Sequence, residues 1–283
     1  MRLGAKQSIL WKAKNGEPLQ DVFVLDVHGH MGYWSEFPVH KGGTPEAMIE
    51  EMDYLGINSI CASAHASIGS DYVLGNRIVG DALKRYPERF MGYAVANPNY
   101  PEEIAQELEI CFNSLRMRGI KVHSEFHAYP IDGPNYQLVW EYAAQKRCPV
   151  LVHATNIPAF ESVVSKYPQV SFILAHSLSF NDTFCYLDRV LAMAMNFDNV
   201  FLDITGSYPY FGTLEMFVKR VGSNRILYGS DMPFLDGSIQ LGRVMYAKIS
   251  DLEKEEILGL NAAELFKIDF SSVRQKRGKA PGS

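Results

Sequence analysis

The chain has 283 residues, 47% of them apolar and 21% charged, a globular composition that excludes a disordered or fibrous polymer. Its 27 basic against 32 acidic residues leave a net charge of −5, so no electrostatic footprint for nucleic acid or an anionic membrane is expected. No run of about 18 apolar residues occurs, and the polar start MRLGAKQSILWKAKNGEP has no signal-peptide core, so a cytoplasmic protein is expected.

Short apolar runs alternate with amphipathic stretches from one end to the other. VFVLDVHGH (22–30) predicts the first strand. Thr44-Pro45-Glu46 then supplies an N-cap, an N1 proline and an early acid ahead of AMIEEMDYLG, with Gly56 as the C-cap. INSICASAH (57–65) and RFMGYAVANP (89–98) predict the second and third strands. Pro101-Glu102-Glu103 opens a helix to Met117, with Leu108, Cys111, Phe112 and Leu115 on one face and Gly119 ending it. RGIKVH (118–123) predicts the fourth strand and residues 136–146 a helix. CPVLVHA (148–154) and VSFILAH (170–176) predict strands five and six, and a helix follows over 183–195. NVFLDITGS (199–207) and NRILYGSD (224–231) complete eight strands. A C-terminal helix over 251–268 precedes a basic, small-residue-rich tail, 271–283, which is expected to fray.

Strand starts recur about every 30 residues, the length of a βα unit. Near-continuous apolar runs suit parallel strands covered on both faces. Eight such units predict an α/β fold, a closed (β/α)8 TIM-type barrel with a C-terminal helical extension, in preference to an open doubly wound sheet. No Pro/Gly/Ser-rich linker interrupts the alternation, so one domain is expected, with the barrel over 22–250 and the helix over 251–268. The four cysteines, Cys61, Cys111, Cys148 and Cys185, stand far apart without a CxxC and read as reduced thiols.

Chemistry-bearing residues gather where these strands end. His28 and His30 close the first, His123 the fourth, His153 the fifth, His176 the sixth and Asp231 the eighth. In such a barrel the carboxyl ends of the strands form the active-site face, so residues distant in sequence converge. Alternation along a strand puts His28 and His30 on the same side. An HxH pair, a third imidazole and a carboxylate form the ligand set that Zn²⁺ accepts while keeping a position for water. A single histidine in an apolar run is as readily a satisfied core group. Five of eight histidines at strand ends, however, point to a shared site. His40, His65 and His127 are read as pocket-wall or surface residues. No GxGxxG, GxxxxGK[ST] or G-x-S-x-G occurs, so neither a nucleotide cofactor nor a serine hydrolase is supported.

The segments LDVHGH, LVHAT, FILAH and LYGSDMPF resemble the strand-end motifs of the amidohydrolase superfamily. They look most like the amidohydrolase-2 group, which includes the aminocarboxymuconate-semialdehyde and resorcylate decarboxylases. RGIKVH is similar to that group's fourth-strand GIKLHP, with Ser124 in place of the proline, and ILGLNAAELFKI (257–268) to its C-terminal helix. Carried over, the resemblance implies that His28, His30, His153 and Asp231 hold one divalent metal, zinc first and manganese as the alternative. His176 is then the catalytic imidazole beside it. Asp231 fits the base and proton shuttle, and His176 an oxyanion or acid helper. Binuclear relatives bridge two ions with a carboxylated lysine on the fourth strand. Here Lys121 is instead expected to close the barrel floor by pairing with Asp26 or Asp203.

The loops after the strands are rich in aromatics: Tyr33, Trp34 and Phe37, then Phe126 and Tyr129, then Tyr208, Tyr210 and Phe211, then Phe234. Of these, Tyr33, Trp34, Phe126, Tyr208 and Phe234, with His123, are read as substrate-binding, lining a small-molecule pocket. Lys41 and Arg77 are the only loop cations singled out, which argues for a neutral or monoanionic, partly aromatic substrate. The first functional reading is a metal-dependent hydrolase of an amide, ester or lactone. The alternative is a metal-dependent non-oxidative decarboxylase of an aromatic or dienoic acid, and the third a non-catalytic binding barrel. A homodimer through outer helices is carried as an expectation, although no heptad or exposed apolar stripe marks its interface.

Overall fold

The computed structural model describes residues 7–35, 38–177, 186–206 and 211–268. Eight strands, β1 (Leu25–Met31), β2 (Ser59–Ala64), β3 (Phe90–Val95), β4 (Gly119–His123), β5 (Val150–His153), β6 (Phe172–Leu174), β7 (Val200–Asp203) and β8 (Ile226–Leu227), pair in chain order. Every ladder between them is parallel. The segment just past β8 joins the sheet back to β1. The Val27 amide donates to the Tyr228 carbonyl at 3.0 Å, that of Asp231 to His28 at 2.8 Å and that of His30 to Met232 at 2.9 Å. This is the expected barrel.

Around it run α1 (Ile9–Asn15), α2 (Pro45–Leu55), α3 (His65–Ile68), α4 (Tyr72–Arg85), α5 (Pro101–Glu109), α6 (Pro134–Lys146), α7 (Ile157–Lys166), α8 (Leu187–Asn196), α9 (Thr213–Val221), α10 (Gly237–Tyr246), α11 (Asp251–Glu255) and α12 (Asn261–Leu265). Their ends follow the local chemistry. The Thr44 side chain accepts from the Ala47 amide with Pro45 at the first turn of α2, and Asn156 caps α7 in the same way.

One core lies between the strands and the helices, built from residues such as Met48, Val79, Leu108, Trp140, Phe160 and Phe217. A second fills the barrel itself. Leu25, Cys61, Tyr93, Leu151, Ile173 and Leu227 pack there with Ala262 and Phe266, whose ring meets that of Tyr93 edge-on at 6.1 Å. The C-terminal helical piece thereby covers the amino-terminal end of the barrel, leaving the opposite end for chemistry. Cys61, Cys111 and Cys148 are buried free thiols, while Cys185 lies outside the described residues.

Several boundaries differ from expectation. The helix expected over 101–117 keeps regular turns only to Glu109. A wider turn follows over Ile110–Ser114, where the Leu115 amide reaches the Ile110 carbonyl at 3.0 Å, and Arg116 sits at φ 60°. The C-terminal helix is likewise interrupted over Glu256–Leu260. There a Cβ on Gly259 would stand 2.4 Å from the Phe23 carbonyl oxygen, so the helix sits against the backbone before β1. The helix expected over 183–195 begins, among the described residues, at Leu187. The polar start, to which the sequence patterning assigns no element, carries α1 with Ser8 as its N-cap and Gly16 as its C-cap. The basic tail lies outside the described residues.

Candidate metal centre

Strand β1 carries both histidines of its HxH pair into the carboxyl end of the barrel, and Asp231, just past β8, comes across to meet them. His28 Nε2 lies 3.2 Å from His30 Nε2, while Asp231 Oδ1 stands 3.1 Å from His30 Nε2 and 3.5 Å from His28 Nε2. All three side chains are buried, and they form the described cluster whose ligand-type atoms converge within 4.8 Å. Two imidazole nitrogens and a carboxylate oxygen converging at such spacings are ligand types that a divalent metal takes together. The donor set therefore fits a divalent metal.

Neighbouring groups fix the orientation of these ligands. His28 Nδ1 donates to Asp203 Oδ2 at 2.7 Å, which puts the lone pair on Nε2, facing the cluster. Asp203 Oδ1 in turn accepts from the Thr205 amide and hydroxyl, at 2.9 and 2.7 Å. His30 Nδ1 pairs with the Ser63 hydroxyl at 3.2 Å. Burial, reinforced by the charge of Lys121, holds the His28 imidazole well below its usual pKa, and burial also lowers His30. Burial on its own would raise the Asp231 carboxyl, but His28 and His30 outweigh it and hold the group well below the usual carboxylate range.

Lys121 corrects an expectation. Its ammonium donates to His28 Nε2 at 3.1 Å instead of pairing with Asp26 or Asp203. Asp203 is taken up by His28, and Asp26 Oδ1 accepts from the His28 and Ser230 amides, at 2.9 and 3.1 Å. The lysine stem rises from its deeper layer to the nearest exposed lone pair, and burial pushes its pKa down to about 8. Asp231 and His176 both stand at positive φ, 68° and 56°. Outside glycine such a conformation costs about 1–3 kcal/mol and persists where the surroundings over-determine it.

The remaining strand-end histidines belong to a wider aromatic arrangement. His28 meets His176 at a ring-centroid distance of 5.0 Å, His176 meets His153 at 4.7 Å, and His153 stacks on His123 at 4.0 Å. His123 stacks on Phe126 at 4.1 Å, and Phe126 meets Trp34 at 5.3 Å. Trp34 meets His65 at 5.2 Å, and His65 stacks on His30 at 5.1 Å, which is itself 5.1 Å from His28. These eight rings form a closed circuit running through the two imidazoles of the convergent triad. His153 thus stands beside the convergent triad, in contact with His123 and His176, and not within the tight cluster itself.

Other sequence candidates fall elsewhere. Tyr33 is 71% exposed, and Phe234 is half-buried with its amide donating to the Asp231 carbonyl at 2.9 Å. Phe37, Tyr208 and Tyr210 lie outside the described residues. Of the two cations expected in loops, Lys41 pairs with Glu50, while Arg77 lies within α4, where two 2.9 Å bonds tie it to the buried Glu107. His40 is exposed, whereas His127 is buried with Nδ1 3.0 Å from the Tyr136 hydroxyl. The sequence reading gave His65 no part beyond wall or surface and passed over Ser63 altogether. His65 opens α3 just past β2, where the run INSICASAH ends, so its strand-end position was legible in the sequence.

A family model described as Amidohydrolase matches residues 25–268. The gamma-resorcylate decarboxylase of Rhodococcus jostii (strain RHA1) is 22% identical over 257 residues, covering 69% of this chain and 75% of its own. Among solved structures, a dihydroxybenzoic acid decarboxylase from Polaromonas sp. JS666, with bound manganese and 2-nitroresorcinol, superposes with a TM-score of 0.72 at 19% identity, covering 87% of this chain and 97% of that one. The 5-carboxyvanillate decarboxylase of Novosphingobium aromaticivorans DSM 12444, complexed with manganese and 4-hydroxy-3-methoxy-5-nitrobenzoic acid, gives 0.71 at 15% identity, covering 88% and 97%. At such identities the structural likeness concerns the fold. The family match takes in all eight strands and every residue of the convergent triad, and the chain belongs to the amidohydrolase family.

Proposed function

We propose that this protein is a metal-dependent, non-oxidative decarboxylase of a small aromatic acid. The observation that carries the reading is the similarity to the Rhodococcus gamma-resorcylate decarboxylase, over 69% of this chain. The aromatic circuit beside the metal-facing histidines supports it, since flat imidazole, indole and phenyl rings suit a flat substrate ring. Hydrolysis, the first expectation from sequence, uses the same residues. Its supporting argument was the scarcity of loop cations, which bears on how many anionic groups the substrate carries and not on which bond breaks.

In this reading His28, His30 and Asp231 hold one divalent ion, zinc or manganese, with His153 as the candidate fourth ligand. Held there, such an ion would supply positive charge to the bound acid and to negative charge building on its ring. Asp231, ionised in the resting site, takes the proton of a ring hydroxyl and passes it to the ring carbon bearing the carboxylate. The bond to the carboxylate carbon then breaks, its electron pair returns to the ring, and carbon dioxide and a phenolate leave. His176, which burial pushes down to about 3, stays neutral and hydrogen-bonds the oxygen on which charge collects. Trp34, Phe126 and His123 form the wall on which the ring rests, with Tyr33, Tyr208 and Phe234 as further candidates. Metal-loaded protein is expected to release carbon dioxide from members of a hydroxybenzoic acid panel. Turnover confined to esters, lactones or amides, with ¹⁸O from labelled water entering the product acid, overturns the reading.

A further inference from the structure

Lys121 is a fully buried lysine to which the proposed reaction gives no part. It stands on β4, in register with Val95 of β3 and Leu151 of β5, and its stem carries Nζ to within 3.1 Å of His28 Nε2. A buried ammonium ordinarily closes on a carboxylate, because charge is costly to bury unpaired. Here Asp203 is taken up by His28 and Thr205, and one oxygen of Asp26 by two backbone amides. Lys121 reaches past both to a ring nitrogen of the convergent triad.

The geometry at His28 makes this contact an exclusive one. Asp203 accepts the Nδ1 proton at 2.7 Å, so Nε2 carries the single lone pair of the ring. That lone pair takes one hydrogen-bond donor or one metal ion, and not both. Lys121 stands at hydrogen-bond distance from it. Placing an ion on His28 therefore breaks the Lys121 bond and moves the ammonium off the atom that the ion takes. Asp231, Asp203 and Glu125 all attract the ammonium. Carboxylate charge that draws a divalent ion into this end of the barrel thus draws Lys121 as well.

We infer that Lys121 is a built-in competitor at the metal centre, whose ammonium holds the His28 lone pair, stabilises the metal-free protein and lowers its affinity for a divalent ion. One bond enters both quantities with opposite sign, since whatever steadies the metal-free form must be given up on loading. The inference rests on the reading of His28 as a metal ligand and is independent of the reaction that the centre performs.

The test is metal affinity, by competition with a chromophoric chelator for manganese and for zinc, and the melting temperature of stripped and metal-loaded protein. Neither needs turnover. Lys121→Met fills the space of the stem without the amine, whereas Lys121→Gln keeps a neutral N–H on a shorter stem. Lys121→Met is expected to bind either ion about tenfold tighter than wild type, the scale of one well-made hydrogen bond. At equal free metal, its gain in melting temperature on loading should exceed that of wild type by about 3–5 °C. Lys121→Gln should fall between the two and carries the test if the methionine variant does not fold. An unchanged Kd in a folded variant overturns the inference, as does an equal loss of melting temperature with and without metal, the mark of a merely structural lysine. Weaker binding with the stoichiometry falling from two ions to one overturns it too, since Lys121 would then be a ligand. If neither variant folds, wild-type protein labelled with ¹⁵N at its lysine amines decides. Zinc at one equivalent should shift a lysine ammonium signal, and no shift overturns the inference. Wild-type protein that binds neither ion sinks the metal reading itself, whereas wild-type binding that the variants leave unaltered sinks the role of Lys121 alone.

Discussion

Replacing Asp203 by asparagine tests how the metal centre is held without touching a proposed ligand. Asp203 is fully buried, and its Oδ2 accepts the Nδ1 proton of His28 at 2.7 Å. Its Oδ1 is committed to the Thr205 amide and hydroxyl, both of which can donate. In Asp203→Asn the carbonyl oxygen of the amide keeps the Thr205 contacts, and the NH₂ group then faces His28 Nδ1. Two donors cannot pair, so His28 favours the tautomer with its proton on Nε2, the atom that faces His30 and Asp231. If the amide turns over instead, its NH₂ group confronts the Thr205 amide. Losing a charge-assisted bond of this kind is worth about 1.5–3 kcal/mol, and loss of such a supporting group lowers metal affinity about 10–100-fold. The two figures agree, at about 1.4 kcal/mol per tenfold. Competition with a chromophoric chelator for manganese and zinc measures the affinity, with circular dichroism and the melting temperature confirming that the barrel is intact. A folded variant whose metal Kd stays within about threefold of wild type would refute the orienting role of Asp203.

His28→Ala and His30→Ala should each abolish metal retention, because the site drops below a stable ligand count; plasma emission analysis showing full metal in either variant removes that residue from the ligand set. Asp231→Asn is expected to lower kcat by at least about 10³-fold, through loss of a charged ligand and of the proton carrier together. Steady-state carbon dioxide release within tenfold of wild type would take Asp231 out of the mechanism. Gly259→Ala places a methyl group where the Phe23 carbonyl oxygen would be 2.4 Å away. A destabilisation of about 1–3 kcal/mol should follow in denaturant unfolding, with metal affinity unchanged; an unaltered midpoint would show that the C-terminal helix can shift away from β1 freely.

The barrel and the address of its site were legible in the chain because both follow from short-range regularities. Apolar runs spaced by one βα unit specify parallel strands, and a parallel barrel presents its strand ends on one face, so His28, His30, His123, His153, His176 and Asp231 could be picked out by position alone. The partner of each side chain was not legible. Lys121 was expected to reach Asp26 or Asp203 and instead reaches His28 Nε2, because the choice depends on stem length and on which lone pair remains open once Asp203 has engaged Nδ1. The breaks at Ile110–Ser114 and Glu256–Leu260 arise where long-range packing overrides helical preference, as where Gly259 lies against the backbone at Phe23. The circuit that joins Trp34 to Phe126 and His65 to His30 links loops and strand ends far apart in sequence, and no local period encodes such a contact. The residue types at the strand ends serve hydrolysis and decarboxylation alike, so sequence patterning reached a donor set that fits a metal and did not choose between the two reactions. Periodicity records the direction in which each residue faces. Which groups then touch is decided by closure of the barrel, which brings β1 beside the end of β8 and sets lone pairs and protons against one another at distances near 3 Å.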